Sequence, residues 1–254
     1  MSMTAIVPLY HLADEPFASV ICYPEAETVE MQSRIGELKS MGVEAVEFSG
    51  RFSAGEMSVL GMGRGGIVAA ARAGSGRLAL KMQRVDSDRE SMEYEAEMLS
   101  IANMVGVGPR LAAATKHFLM MQLVDGHYLE EKLGACRDKT AARTILTDLL
   151  EQCWRLDGAG LDHGELIRGA KHILVDADGV PFIIDFDTAS ICRNASNVTS
   201  LCHFLFLGES RARTAIESIF GEHNSELIDA LRIYRKKRDR QSFEGLLEQC
   251  FFCH

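Results

Sequence analysis

The hydrophobic pattern of this sequence changes once, near Gly126. Between Gly55 and Leu123, short apolar runs alternate with polar residues and are broken by glycines, and one stretch, at about 87–104, has helical spacing. Beyond Gly126, helical spacing predominates. Because alternation is typical of strands and a repeat of about 3.6 residues is typical of helices, we predict an α+β protein with two lobes and a cleft between them.

The helix-rich half also contains two strand-like runs. Its first predicted helices are Tyr128–Leu133 and Lys139–Leu156. The apolar runs Ile173–Val175 and Phe182–Phe186 flank the turn residues Ala177-Asp178-Gly179. Because Asp and Gly favour tight turns, these two runs are predicted to form a hairpin.

The N-terminal part precedes the motifs described below. A helix is predicted over 25–42, where Gly42 closes it, and a short strand is predicted at Val43–Phe48. The predicted segments are an N-terminal extension, 1–54, a lobe with an antiparallel sheet and one helix, 55–124, and a mostly helical lobe, 125–254.

Composition predicts the cellular location of the protein and the state of its cysteines. The chain has 254 residues, of which 47% are apolar, and a net charge of −9. It contains no apolar stretch of the length that crosses a membrane, and its N-terminus lacks the pattern of a secretory signal. We therefore expect a cytoplasmic protein with no membrane partner, in which the seven cysteines form no disulfide framework.

Two segments suggest other partners. A negative net charge disfavours general affinity for nucleic acid, but the segment 232–240 is strongly basic. It is expected to be a solvated helix face, with a surface for RNA or an acidic partner as the alternative. The tail residues Cys250, Cys253 and His254 match the spacing of haem c attachment, without the context that such attachment needs. The basic residues are Arg232, Arg235, Lys236, Lys237, Arg238 and Arg240.

A glycine-rich segment suggests a phosphate site. Gly61-Met62-Gly63-Arg64-Gly65-Gly66-Ile67-Val68 fits the pattern G-x-G-x-x-G-x-V, which both dinucleotide folds and protein kinases use to bring the main chain close to phosphates. The dinucleotide alternative requires that 67–73 open a helix, with Asp86 as the ribose-binding acid. The glycines alone do not decide between the two.

Lys81 and Glu95 favour the kinase alternative. Lys81 follows Ala79 on one face of a predicted strand, and Glu95 lies within the apolar stripe of the next helix. A carboxylate on a packed helix face needs a cation, so we predict that Glu95 pairs with Lys81. In kinases such a pair positions the phosphates of ATP.

Three later motifs follow in the order that a kinase has them. The strand that ends at Gln122 and Leu123 resembles a hinge, whose main chain would bind adenine with Met121 beside it. His163-Gly164-Glu165-Leu166 lies in a predicted loop, in which His163 is expected to bridge backbone groups. In Pro181–Asp187, Asp185 interrupts an apolar run, and a carboxylate there could ligate a cation.

With these motifs, the chain resembles the protein-kinase superfamily, and more closely the small RIO-like atypical serine/threonine kinases. The sequence motif HGEL…KH of these kinases is present at His163–Leu166 and Lys171-His172, and their motif IDF(D/E)xAS is present at Ile184–Ser190. The resemblance implies that Lys81 and Glu165 are catalytic, and that ATP and Mg²⁺ are bound. The residues it implies for ATP binding are Gly61, Gly63, Gly66, Val68, Ala79, Lys81, Glu95, Gln122 and Leu123.

Several residues depart from the pattern of ordinary kinases. Glu165 stands where those enzymes have aspartate, and Ala170 where they have a metal-binding asparagine. If the comparison with ordinary kinases is instead aligned on the following Ile173–Val175, His172 takes the place of the asparagine. The predicted metal ligands are therefore Asp185 and His172. Lys171 or Arg168 could offset phosphate charge instead. No proline follows Pro181, so an Ala-Pro-Glu motif is absent and the activation segment is predicted to be reduced or absent.

These motifs and departures leave four functions open. The first is an ATP-dependent serine/threonine protein kinase that phosphorylates itself. The second is a kinase for a small-molecule acceptor. The third is a nucleotide-binding pseudokinase that acts as a regulatory module. The fourth is a dinucleotide-binding oxidoreductase, which rests on the glycine-rich segment and Asp86.

Overall fold

A computed structural model describes residues 2–74, 76–221 and 225–251, with the main chain alone at Ser225. The tail residues Cys253 and His254 lie outside the described residues. Within the described ranges, no helix combines the length and the hydropathy that crossing a membrane requires.

The chain divides into two units. The sheet unit comprises the residues up to Ser100 together with Pro109–Leu123, and the helical unit comprises Ile101–Gly108 together with the chain from Val124 onwards. The prediction of an α+β protein with an antiparallel sheet is confirmed. The strands are β1 (Ala5–Pro8), β2 (Val43–Phe48), β3 (Phe52–Ala54), β4 (Met57–Val59), β5 (Gly61–Met62), β6 (Gly66–Ala73), β7 (Gly76–Gln83), β8 (Leu111–Ala114), β9 (Phe118–Gln122), β10 (Gly126–Tyr128), β11 (Ile173–Asp176) and β12 (Pro181–Ile183). The α-helices are α1 (Ala18–Ile21), α2 (Thr28–Ser40), α3 (Glu93–Met104), α4 (Leu129–Ala135), α5 (Lys139–Gly158), α6 (Asn197–Cys202), α7 (Arg211–Phe220), α8 (Ser225–Lys237) and α9 (Arg240–Phe251).

The sheet unit is built on one antiparallel sheet, in the order β1-β2-β6-β7-β9-β8, with β5 paired to β6. Its centre is the hairpin of β6 and β7, whose turn is permitted by Gly74 at φ +57°. The segment predicted as an N-terminal extension supplies β1, β2 and α2 to this unit. The helix predicted at 25–42 is Thr28–Ser40, followed by Gly42 at φ +74°.

The two faces of this sheet differ in what they carry. Ile67, Leu80 and Met120 lie on one face, in a buried apolar core that includes Leu38 of α2. Because side chains alternate along a strand, Lys81 points to the opposite face. Its directly paired neighbours there are Val68 on β6 and Leu119 on β9.

In the helical unit, α5 carries the longest buried stripe. The prediction Lys139–Leu156 is confirmed apart from the last turn, which extends to Gly158. Asp138 caps the helix, since its carboxylate accepts hydrogen bonds from the main-chain N–H groups of Thr140 (2.8 Å) and Ala141 (3.3 Å).

The predicted hairpin of the helical unit forms between β11 and β12, with β10 as a third strand. The predicted extent of its second strand is wrong. β12 ends at Ile183, and the backbone of Asp185 is left-handed at φ +69°. Asp185 therefore lies beyond the end of the strand and not within it.

Candidate functional site

The predicted pair of Lys81 and Glu95 forms within the sheet unit. The Lys81 ammonium donates to both oxygens of the Glu95 carboxylate, at 2.7 and 2.8 Å. The two residues are 7% and 3% exposed. Burial of two charges at this depth is costly, and the good geometry of their contact offsets that cost.

The glycine-rich segment forms a tight turn beside Lys81. Its ends pair as strands β5 and β6, and the Gly63 N–H donates to the Gly66 carbonyl at 2.9 Å. A β-carbon at Gly66 would lie 2.9 Å from the Met82 carbonyl oxygen and 3.3 Å from Lys81 Cγ. The turn therefore packs directly on the lysine stem. Because Gly66–Ala73 is a strand, the helix that the dinucleotide alternative requires at this position is absent.

Arg89 is a second cation at the turn, and the sequence analysis missed it. Its Nη1 lies 3.7 Å from Glu95 Oε2, and its guanidinium carbon lies 3.1 Å from where a β-carbon of Gly65 would be. Gln83 fixes this loop by donating to the Arg89 carbonyl at 2.7 Å. Nothing in the local pattern distinguishes Arg89 from the other polar residues before α3.

Replacing Gly66 by alanine tests the close approach of the turn to β7. The new methyl group meets a backbone oxygen, which cannot move aside as a flexible side chain could, so we expect a loss of about 1–3 kcal/mol in the free energy of unfolding. Urea denaturation measures it. Gly76→Ala is the matched control, because a β-carbon there meets nothing within 4 Å. Equal stability of the two variants would contradict the packing described.

The other residues predicted for ATP binding in this unit lie near Lys81 in the sheet register. Gly61 pairs with Val68, and Ala79 pairs with Met121. The main-chain N–H of Gln122 donates to the Arg110 carbonyl at 2.8 Å. The Gln122 N–H is therefore already used within the sheet. The predicted contacts with adenine depend on the carbonyl groups at the end of β9 and on Leu123.

In the helical unit, His163 is fully buried, as its predicted structural role requires. Its main-chain N–H donates to Asn197 Oδ1 at 2.9 Å, and its ring Nε2 lies 3.0 Å from the Ile184 carbonyl oxygen. Burial lowers the pKa of His163 to about 4, so the ring is neutral near pH 7. His163 is thus a bridge between backbone segments.

Asp185 and His172 lie next to each other after the hairpin. Asp185 Oδ2 is 3.6 Å from His172 Nδ1, and the Ile184 N–H donates to the His172 carbonyl at 2.9 Å. The left-handed backbone of Asp185 is uncommon for a residue other than glycine, although aspartate tolerates it better than most. Such conformations concentrate at functional sites.

Glu165 begins the 3₁₀ turn Leu166–Lys171. Its carboxylate is partly exposed and lies 3.9 Å from Nη1 of Arg168, whose side chain is 80% exposed. Lys171 is also exposed. The preceding Gly164 has φ +87° and packs against Thr188 and Arg193. The glutamate is thus held at its backbone while its carboxylate reaches solvent.

A buried hydrogen-bond network holds this loop, and the sequence analysis missed it. Asn197 Nδ2 donates to Asp157 Oδ1 at 2.8 Å and to the Leu161 carbonyl at 2.7 Å. The Tyr234 hydroxyl donates to the other Asp157 oxygen at 3.0 Å. Burial raises the pKa of Asp157, while hydrogen bonds from Asn197 and Tyr234 oppose that rise. The network joins α5, α6 and α8 to the loop of His163.

Replacing Asp157 by alanine should lower the free energy of unfolding by about 2–4 kcal/mol, because several donors lose their acceptor in a buried place. Thermal and urea denaturation measure the loss. Asp148→Ala, on the same helix, is the control, since Asp148 makes no hydrogen bond or ion pair within the described ranges. If the two variants unfold alike, the network contributes nothing to stability.

The donor set at Asp185 and His172 fits a divalent cation. The Nδ1 atom of His172 is buried and, within the part of the chain that the structure describes, has no hydrogen-bond partner. It faces a carboxylate, and nitrogen beside oxygen is a usual ligand pair. Among the described side chains, no group of three or more His, Cys, Asp or Glu is placed to hold a metal. If a cation binds here, the described side chains would supply two ligands, and phosphate or water would supply the others.

The basic segment 232–240 lies at the end of α8 and the start of α9. Arg232 binds Asp229 at 2.9 Å, and Arg240 binds Glu151 at 2.7 Å. The remaining cations are exposed, and none of them forms an ion pair with the described part of the chain. They are Arg235, Lys236, Lys237 and Arg238.

No protein-family model matches the sequence. No curated protein matches it either.

Proposed function

We propose that this protein is an ATP-dependent phosphotransferase of the RIO-like atypical kinase type, which transfers the γ-phosphoryl group of ATP to a serine or threonine hydroxyl, including its own. The observation that carries the proposal is the buried Lys81–Glu95 pair beneath a glycine turn. Apolar side chains of similar volume often replace a buried ion pair at no loss of stability, so a phosphate-binding role explains this pair beside a glycine turn better than stability does.

The sheet unit would supply binding of the polyphosphate. The Lys81 ammonium, held by Glu95, would donate to phosphate oxygens, and Arg89 adds positive charge at the same turn. The glycines Gly61, Gly63 and Gly66 allow the main chain to approach the phosphates. Phosphoryl transfer needs mainly such positioning and charge neutralisation.

The helical unit would supply the acid and base chemistry. The acceptor hydroxyl forms a bond to the γ-phosphorus while the bond from that phosphorus to the β–γ bridging oxygen breaks, and ADP leaves. Glu165, whose carboxylate is partly exposed and only loosely paired, would accept the hydroxyl proton. Asp185 and His172 would hold a divalent cation, which neutralises phosphate charge when bound.

A second function, a nucleotide-binding pseudokinase, is favoured by Ala170 and Glu165, which replace two groups of ordinary kinases. Incubation with ATP labelled at the γ-phosphate separates the two. We expect label on the protein itself or on an added serine- and threonine-rich protein, and none when the label is at the α-phosphate. Recovery of intact bound ATP would indicate the pseudokinase. Label on a small molecule alone would indicate the small-molecule kinase.

A further inference from the structure

His172 presents a ring nitrogen that the described part of the chain leaves without a hydrogen bond. The residue lies between the 3₁₀ turn Leu166–Lys171 and β11, and its side chain is 12% exposed. Its Nδ1 atom is buried and has no hydrogen-bond partner among the described residues. The nearest carboxylate oxygen, Asp185 Oδ2, is 3.6 Å away, which is beyond hydrogen-bond distance.

Neither protonation state of Nδ1 explains this separation. If Nδ1 carried a proton, it should donate to Asp185 at hydrogen-bond distance. Such a contact occurs elsewhere in the chain, where His117 Nδ1 lies 2.6 Å from Glu37 Oε1. If Nδ1 carries a lone pair, this buried atom faces the lone pairs of the Asp185 carboxylate, whose side chain is 34% exposed, and that contact is unfavourable for Nδ1. A cation that accepts electron pairs from both atoms resolves the second case, in which Nδ1 is unprotonated.

Solvent does not offer the same resolution. His127 and Glu131 are also 3.6 Å apart, but their side chains are 69% and 46% exposed, so water can complete their hydrogen bonds. At His172 the unused nitrogen is shielded. Nδ1 therefore lacks the solvent contact that His127 has, and a cation held by the partly exposed Asp185 carboxylate is the alternative partner for this nitrogen.

The imidazole nitrogen of His172 favours some divalent cations over others. Mg²⁺ prefers oxygen ligands and keeps its water, whereas imidazole suits divalent first-row transition ions. We propose that His172 and Asp185 form a site for a divalent transition ion, with Mn²⁺ bound in preference to Mg²⁺, as the metal of the nucleotide complex. This inference rests on the proposed function for its nucleotide, whose phosphate oxygens would complete the coordination.

Electron paramagnetic resonance of Mn²⁺ with ADP tests the site without turnover. Electron spin echo modulation detects a directly bound imidazole nitrogen. We expect that signature in the wild-type protein and in the control His127→Asn, and its loss in His172→Asn. Asparagine keeps an oxygen donor, so the variant still binds metal.

Affinity provides the second readout. In calorimetry with a non-hydrolysable ATP analogue, Mn²⁺ should bind the wild-type complex more tightly than Mg²⁺, and His172→Asn should weaken Mn²⁺ by at least about tenfold, the scale that outer-shell changes alone reach at metal sites. Mg²⁺ affinity should change little. Thermal denaturation checks that the variant is folded.

The outcomes separate this inference from the proposed function. Nucleotide-dependent binding of Mn²⁺ without a nitrogen signature, or equal metal preference in wild type and His172→Asn, overturns the inference and leaves the phosphotransferase proposal standing. Absence of nucleotide binding with either metal overturns both. If His172→Asn does not fold, the wild-type nitrogen signature and metal preference decide the inference.

Discussion

Replacing Lys81 by methionine should reduce phosphate transfer from ATP by at least about a hundredfold, the cost of removing one preorganised charge-stabilising donor. Methionine has a similar length and keeps the apolar stem packed against Gly66. It lacks the ammonium that donates to Glu95 and would reach the phosphates. Transfer is measured with γ-labelled ATP at saturating metal.

The loss of a buried partner complicates this variant, and a double variant resolves it. Removing Lys81 leaves the Glu95 carboxylate, which is 3% exposed, with the more distant Arg89 at 3.7 Å. Breaking a buried ion pair costs about 3–5 kcal/mol. Lys81→Met with Glu95→Gln removes the uncompensated charge and should recover much of the stability. If the double variant also recovers wild-type transfer, Lys81 serves the fold alone.

Replacing Asp185 by asparagine should weaken metal-dependent binding of ATP by at least about a hundredfold, since even outer-shell changes cost metal sites about ten- to a hundredfold. Asparagine has nearly the same size and adopts left-handed backbone as readily, so the backbone conformation at φ +69° should persist. The variant loses the negative charge that a cation needs. Calorimetry with ATP, with and without a chelator, measures the effect.

Asp178→Asn is the matched control for that experiment. Asp178 is exposed and lies in the turn between β11 and β12. Its replacement removes the same charge from the same hairpin and should leave ATP affinity unchanged. Our assignment of the metal ligand fails if Asp185→Asn gains as much affinity from added metal as the wild-type protein does.

The sequence predicts those elements whose local signals agree. Val43–Phe48 forms a strand with the predicted bounds, because a helix-ending glycine precedes its apolar run. The stripe that contains Met92, Leu99 and Ala102 is buried as its spacing indicates. The pairing of Lys81 with Glu95 could also be predicted, because a carboxylate in such a stripe requires a cation.

Boundaries set by side-chain capping were harder to predict. The helix predicted at 87–104 begins at Glu93, where the Ser91 hydroxyl accepts the Glu93 N–H at 2.9 Å. The segment before it forms a turn, with the Ser87 N–H donating to the Arg84 carbonyl at 3.2 Å. Serine favours such local hydrogen bonds over helix, but helical spacing alone does not reveal which serine ends the pattern.

Contacts between residues far apart in sequence could not be predicted. The strand that contains Val7 joins the sheet by pairing with β2, and no local signal specifies that neighbour. The contact of Tyr234 with Asp157 and Asn197 depends on the packing of three helices. The left-handed backbone at Asp185 was missed because the apolar run continues through it.

A crystal structure with a non-hydrolysable ATP analogue and Mn²⁺ tests the central claim most directly, because anomalous scattering locates the ion. We expect one nucleotide per chain, with the Lys81 ammonium within hydrogen-bond distance of its phosphates and the Asp185 carboxylate on the ion that those phosphates bind. A bound nucleotide that meets only one of these two side chains, while the other faces a separate surface, would contradict the assignment of both to phosphoryl transfer.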